Sequence, residues 1–168
     1  MWTILTSILL LLVSMAFGAE ARLPSAQELL LKVRQTSAKE VLNEIFSNQS
    51  LEEQLKAQIS SGKPEWLEVA SALKPASDAG SSEMLEMAAA AALPNNPSGV
   101  LGLVGPGFSI SWICGAPEFE VPPEKTLRHL RRSLRALKKV KNPSAAEAKK
   151  RCVDTIENLI RKIKKKPA

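Results

Sequence analysis

The chain reads as all-α: an irregular bundle of six to seven helices closed by one disulfide. Three observations predict this. Serines followed three places on by glutamate recur along the chain, apolar residues repeat at three- and four-residue spacing behind them, and the one alternating stretch has no second strand to pair with. With 168 residues, 45% of them apolar, the chain suits one compact domain. Charged residues at 24% are ordinary for a folded domain, which excludes wholesale disorder.

Residues 1–21 read as a removable secretory signal. An apolar stretch from Ile4 to Phe17 is broken only by Thr6, Ser7 and Ser14, and Ala19 and Ala21 flank Glu20 in a small-x-small pattern. Cleavage after Ala21 is expected, with Gly18 as the alternative. The stretch is shorter than the roughly 20 residues that span a bilayer, so a stable transmembrane protein is not expected. Neither cysteine lies near this junction, which argues against a lipid anchor. The mature domain is then 22–168, periplasmic or secreted.

Ser25 with Glu28, Ser37 with Glu40 and Ser50 with Glu53 fit the capping box. In it the serine hydroxyl and the carboxylate three residues later satisfy each other's free amides. Each precedes an apolar face: Leu29, Leu30 and Val33; Val41, Leu42, Ile45 and Phe46; Leu51, Leu55 and Ile59. Pro64 suits a first helical turn, and Trp66, Leu67, Val69, Ala70 and Leu73 follow until Pro75. Residues 76–82 read as a connector and 82–93 as an alanine-rich helix. Asn96 with Pro97 caps a further short turn. Phe108, Ile110 and Trp112 alternate with Ser109 and Ser111, so 105–123 reads as an extended or irregular segment carrying Cys114 inward. Basic helices follow over 123–140 and 144–166. The first has a stripe of Leu127, Leu130, Leu134 and Leu137; the second opens on a capping box from Ser144 to Glu147. The helix pairs over 51–73 and 82–103 hint at a two-helix repeat, but a solenoid needs more units.

Export puts Cys114 and Cys152 in an oxidising compartment, where one intramolecular bridge is expected. A redox pair would need the closer Cys-x-x-Cys spacing, and a zinc site more ligands than two cysteines and the single His129. No cofactor or metal is expected. His129 lies among arginines with no nucleophile motif beside it and reads as a boundary residue. The pairs Glu52 with Glu53, Glu65 with Glu68 and Glu83 with Glu86 sit at helix starts, where they suit the dipole. Acid–base work would require burial. Trp66 and Trp112 read as core anchors, and the glycines from 99 to 107 lack the lysine of a phosphate loop.

Charge is the sharper clue. Residues 125–168 carry 16 basic and 3 acidic side chains, residues 22–124 carry 7 and 13. At 100° per residue, Lys125, Arg128, Arg131, Arg132, Arg135, Lys138 and Lys139 share one side of a helix, opposite the leucines. The chain then ends in a basic tail from Arg161 to Lys166. Such a face is either a solvated surface or a site for an anionic partner, and the acidic half of the chain is a candidate internal partner. With no Tyr and few other aromatics, nucleic acid is not an expected partner.

The segment from Pro64 through Ala70 to Ser77 and Gly80, the alanine helix, Asn96 to Leu101, and Ile113 with Cys114 resemble small exported helical proteins of Gram-negative bacteria with no assigned function. The likeness covers about half the chain. It implies a periplasmic home and the disulfide, and no activity. The expected function is non-enzymatic: binding of an acidic protein or an anionic envelope surface through Arg128, Arg131, Arg132, Arg135, Lys138 and Lys139. The alternatives are an inhibitor or immunity-type protein of a cell-wall enzyme, and a hydrolase with an unrecognised carboxylate site.

Overall fold

A computed structural model describes residues 21–105, 107–115 and 121–165. The signal-peptide reading falls on 1–20, outside the described residues apart from Ala21. Among the described residues the chain is helical throughout, in nine α-helices and two 3-10 turns. The excess over the expected six or seven comes from two short helices: α6, expected only as a short turn, and α7, formed where the sequence reads as extended or irregular. The helices are α1 (Ala26–Gln35), α2 (Ala38–Phe46), α3 (Gln49–Ser60), α4 (Pro64–Leu73), α5 (Ala79–Ala92), α6 (Pro97–Gly102), α7 (Ile110–Ile113), α8 (Pro123–Lys138) and α9 (Ala146–Lys165).

The caps explain most boundaries. Ser25 and Glu28 form the full reciprocal box at α1, and the Ser37 hydroxyl accepts the Glu40 amide at α2. At α3 the cap is Asn48, two residues before the expected Ser50. Its side-chain oxygen accepts the Ser50 and Leu51 amides, while the Glu53 carboxylate accepts from Gln49 at 2.8 Å. An asparagine cap holds two amides from outside the helix, so it outcompetes a serine already inside the first turn. Helix α5 starts at 79 instead of 82 because Asp78 accepts the Ser81 amide at 3.0 Å and the Ser81 hydroxyl accepts the Asp78 amide at 3.0 Å. Asn96 caps α6 as expected, through the Gly99 amide. The expected box at Ser144 does not form. Asn142 instead accepts the Ser144 amide, a 3-10 turn spans Pro143–Ala145, and α9 begins after it.

Residues 105–113 correct the extended reading. Gly105 and Phe108 make an isolated bridge across a tight turn, and Ile110–Ile113 is one helical turn. Without a partner strand the backbone amides and carbonyls find each other locally. Phe108 and Ile113 are buried, while Trp112, expected in the core, is 39% exposed. The basic tail is helical as far as Lys165 and not a free extension; Lys166 lies outside the described residues.

Helix α5 is the centre. Its buried Ala88, Ala89 and Ala92 admit close neighbours: α3 lies on one side, α6 and α7 on others. Helices α1, α2 and α4 pack together beside α3. The corner between α3 and α4 is tied to that between α5 and α6, since Asn95 donates to the Ser60 carbonyl and Asn96 to that of Gly62. Gly99 is needed at the α4 crossing, because a Cβ there would lie 2.6 Å from Leu67 Cδ1. Helices α8 and α9 form a hairpin that docks through α8 on α6 and through α9 on α7. The core residues form one continuous cluster that includes Leu130 and Leu137 of α8 and Ile156 of α9. Burying each such side chain stabilises the fold by about 2 kcal/mol. The buried line on α8 is Thr126, Leu130, Ser133 and Leu137; Leu127 and Leu134 are only half-buried, so the contact is rotated from the all-leucine stripe. Ser133 is tolerated inside because its hydroxyl donates to the His129 carbonyl at 3.1 Å.

Candidate functional site

Helix α8 presents the cations that the sequence singles out. Arg128, Arg131, Arg132, Arg135, Lys138 and Lys139 are all exposed, as is Lys125. The reason is geometric: the line from Thr126 to Leu137 takes up the face toward α6 and α9, and the basic residues occupy the remaining arc. Among the described residues none of these seven cations is in an ion pair; the pairs are Lys32 with Glu44 and Lys74 with Glu86. No described carboxylate of the acidic half is directly paired with the basic face. His129 is half-buried at the edge of that face, its Nε2 3.4 Å from the Ser133 hydroxyl.

Near its C-terminal end α8 borders a groove of about 490 Å³. Arg132, Arg135, Lys138 and Lys139 line it together with Ala136 and with Pro94 from the turn after α5. Helix α9 starts beside this end: the Lys149 ammonium donates to the Val140 carbonyl at 2.8 Å. The placement is fixed covalently too. Cys114, just after α7, is bonded to Cys152 on α9 with a Cα–Cα distance of 5.3 Å, and both are fully buried. Bridge and hairpin thus hold the basic helices against α6 and α7.

The second feature was not legible beforehand. Lys74 is only 6% exposed and Glu86 7%. The Lys74 ammonium lies 3.3 Å from Glu86 Oε1, donates to the hydroxyl and the carbonyl of Ser82, and sits 5.2 Å from the centre of the Phe108 ring. Glu86 also accepts the Ser109 amide at 3.2 Å. Gly107 closes the arrangement: its φ is +101°, and a Cβ there would lie 2.9 Å from Lys74 Cγ. Lys74 in sequence reads as the end of a helix before Pro75, and Glu86 as one of a solvent-facing pair with Glu83. Nothing local announces that Gly107, Phe108 and Ser109 fold over both. With its charge met by Lys74, Glu86 is a structural carboxylate. The other carboxylates of the proposed acid–base pairs are not buried. Among the described residues no cluster of His, Cys, Asp and Glu could hold a metal ion, and no helix is long and apolar enough to cross a membrane.

Comparison with models of known families, with curated proteins and with solved structures matches nothing to this chain.

Proposed function

We propose that the chain is an exported interaction protein, periplasmic or secreted, whose helix α8 engages an acidic protein or an anionic envelope surface. The observation that carries the reading is the row of exposed cations from Arg128 to Lys139, none of them ion-paired among the described residues. Each cation near an anionic surface contributes about 1 kcal/mol, so a rigid row acts together. Rigidity is supplied by the buried line of α8 and by the hairpin with α9. The Cys114–Cys152 bond supports export, because such bonds persist in oxidising compartments.

Reversing Arg128, Arg131, Arg132 and Arg135 to glutamate tests the reading. All four are exposed, so helicity by circular dichroism should be unchanged. Binding to envelope fractions in a sedimentation assay should fall roughly 1,000-fold, and wild-type binding should weaken steeply with added salt. Unchanged binding by the folded variant removes the reading.

A further inference from the structure

The groove beside the last two turns of α8 is more specific than a charged surface. Four cations line it, Arg132, Arg135, Lys138 and Lys139, and no described carboxylate does. Beyond Lys139 a second hollow of about 280 Å³ continues it past Pro97, Ser98 and Val140. At 1.5 Å of rise per residue the four charges fall within about 10 Å along the helix, one every 3 to 4 Å on average, and Arg128 extends the row to about 16 Å. Linear phosphate chains carry charge at a similar pitch, about one per 3.4 Å of axis along a DNA strand. The guanidinium forks of Arg132 and Arg135 suit paired phosphate oxygens.

The surroundings narrow the partner. Among the described residues the large apolar side chains that stand exposed are Leu31 on α1 and Trp112 on α7, neither on α8. The basic face therefore has no apolar anchor to insert into a bilayer. It also lacks the aromatic centre on which protein interfaces concentrate their energy. No aromatic side chain lines the groove, so bases would find nothing to stack on. A shallow, open track flanked by four cations and by no aromatic side chain fits a hydrated chain of repeated charge. We infer that this groove binds a linear phosphate polyanion, with successive phosphates paired to Arg132, Arg135, Lys138 and Lys139 and the chain running toward Arg128. The inference rests on α8 being the anion-binding face and names the ligand class for it.

The test is calorimetric titration of the mature, disulfide-bonded protein with inorganic polyphosphate of defined length. Affinity should rise with length and level off at about four to six phosphates, the number that the row can reach. The triple variant R132E/R135E/K139E should bind roughly 100-fold more weakly. The control R22E/R34E/K39E makes the same change in net charge on exposed positions before α1, on α1 and on α2. These positions lie on or just before the N-terminal helices packed beside α3, not on the hairpin of α8 and α9 that carries the groove. The control should lose less than about fivefold. Equal losses in both triple variants, or orthophosphate bound as tightly as the chain, overturn the inference. If polyphosphate fails while anionic vesicles or polyglutamate bind and depend on α8, the ligand class is wrong and the wider reading of α8 stands. If none of the three binds, both fall.

Discussion

At the scale of single residues, the costliest arrangement is the buried ammonium of Lys74. Taking a charge from water costs several kcal/mol, and its attraction to Glu86, the Ser82 oxygens and the Phe108 ring offsets that only while every partner is present. Lys74→Met leaves Glu86 buried without its counter-charge and is expected to lower unfolding free energy by about 3–5 kcal/mol in urea denaturation. Adding Glu86→Leu should recover most of that loss, since an apolar pair replaces an ionic one at little net cost. A double variant as unstable as the single one would show that the pair is not coupled. Two carboxylates at helix starts respond to pH instead. Hydrogen bonds from Ser81 hold Asp78 below the usual carboxylate range, and those from Ser25 do the same for Glu28. A depressed folded pKa contributes stability that is present above the ordinary value and lost as pH falls through the lower folded one. Ser81→Ala should therefore move the Asp78 titration upward, read by carboxyl NMR, lower stability at pH 7 and flatten the acid limb of the stability curve, because the contribution present at neutral pH is the one removed.

At the scale of elements, the disulfide decides what stays together. It closes 38 residues containing α8 and the start of α9, and in the chain-entropy model contributes on the order of 4 kcal/mol. In the double variant C114S/C152S, hydrogen exchange should accelerate most in α8 and α9, while α3 and α5, packed on each other at the centre, keep their protection. Uniform acceleration across all helices would indicate that the hairpin is no separate unit. The same elements show what could be read in advance. Helices α1, α2, α4, α6 and α8 were legible because cap or proline and apolar face agree. At α3 and α9 an asparagine two residues before the expected serine caps first, Asn48 holding the Ser50 and Leu51 amides and Asn142 that of Ser144, and spacing alone does not rank the two candidates. The alternation at Phe108, Ile110 and Trp112 misled because period two says nothing about whether a partner strand exists. The cationic face was legible, since exposure follows from helical phase; the groove was not, because its far wall, Pro94, comes from a turn distant in sequence.

At the scale of the molecule, charge is separated along the chain: residues 125–168 hold 16 basic side chains against 3 acidic ones. Crowded on one hairpin, they repel one another. Raising salt from 10 to 150 mM shortens the screening length from about 30 to about 8 Å. The thermal midpoint should then rise, by about 2–4 °C if repulsion costs near 1 kcal/mol, as followed by circular dichroism. A midpoint that falls with salt would mean that attraction between the two halves outweighs repulsion within one.

The bond between Cys114 and Cys152 also routes mechanical load. Tension applied at the two ends of the chain passes along α9 to Cys152, crosses at the sulfur atoms and leaves through α7. The whole of α8 hangs as a slack loop outside that path, so a pulled molecule would withhold about 130 Å of contour until the cross-link is reduced. A protein tugged between two attachments would keep its cationic helix unstretched while the rest of the chain bore the strain.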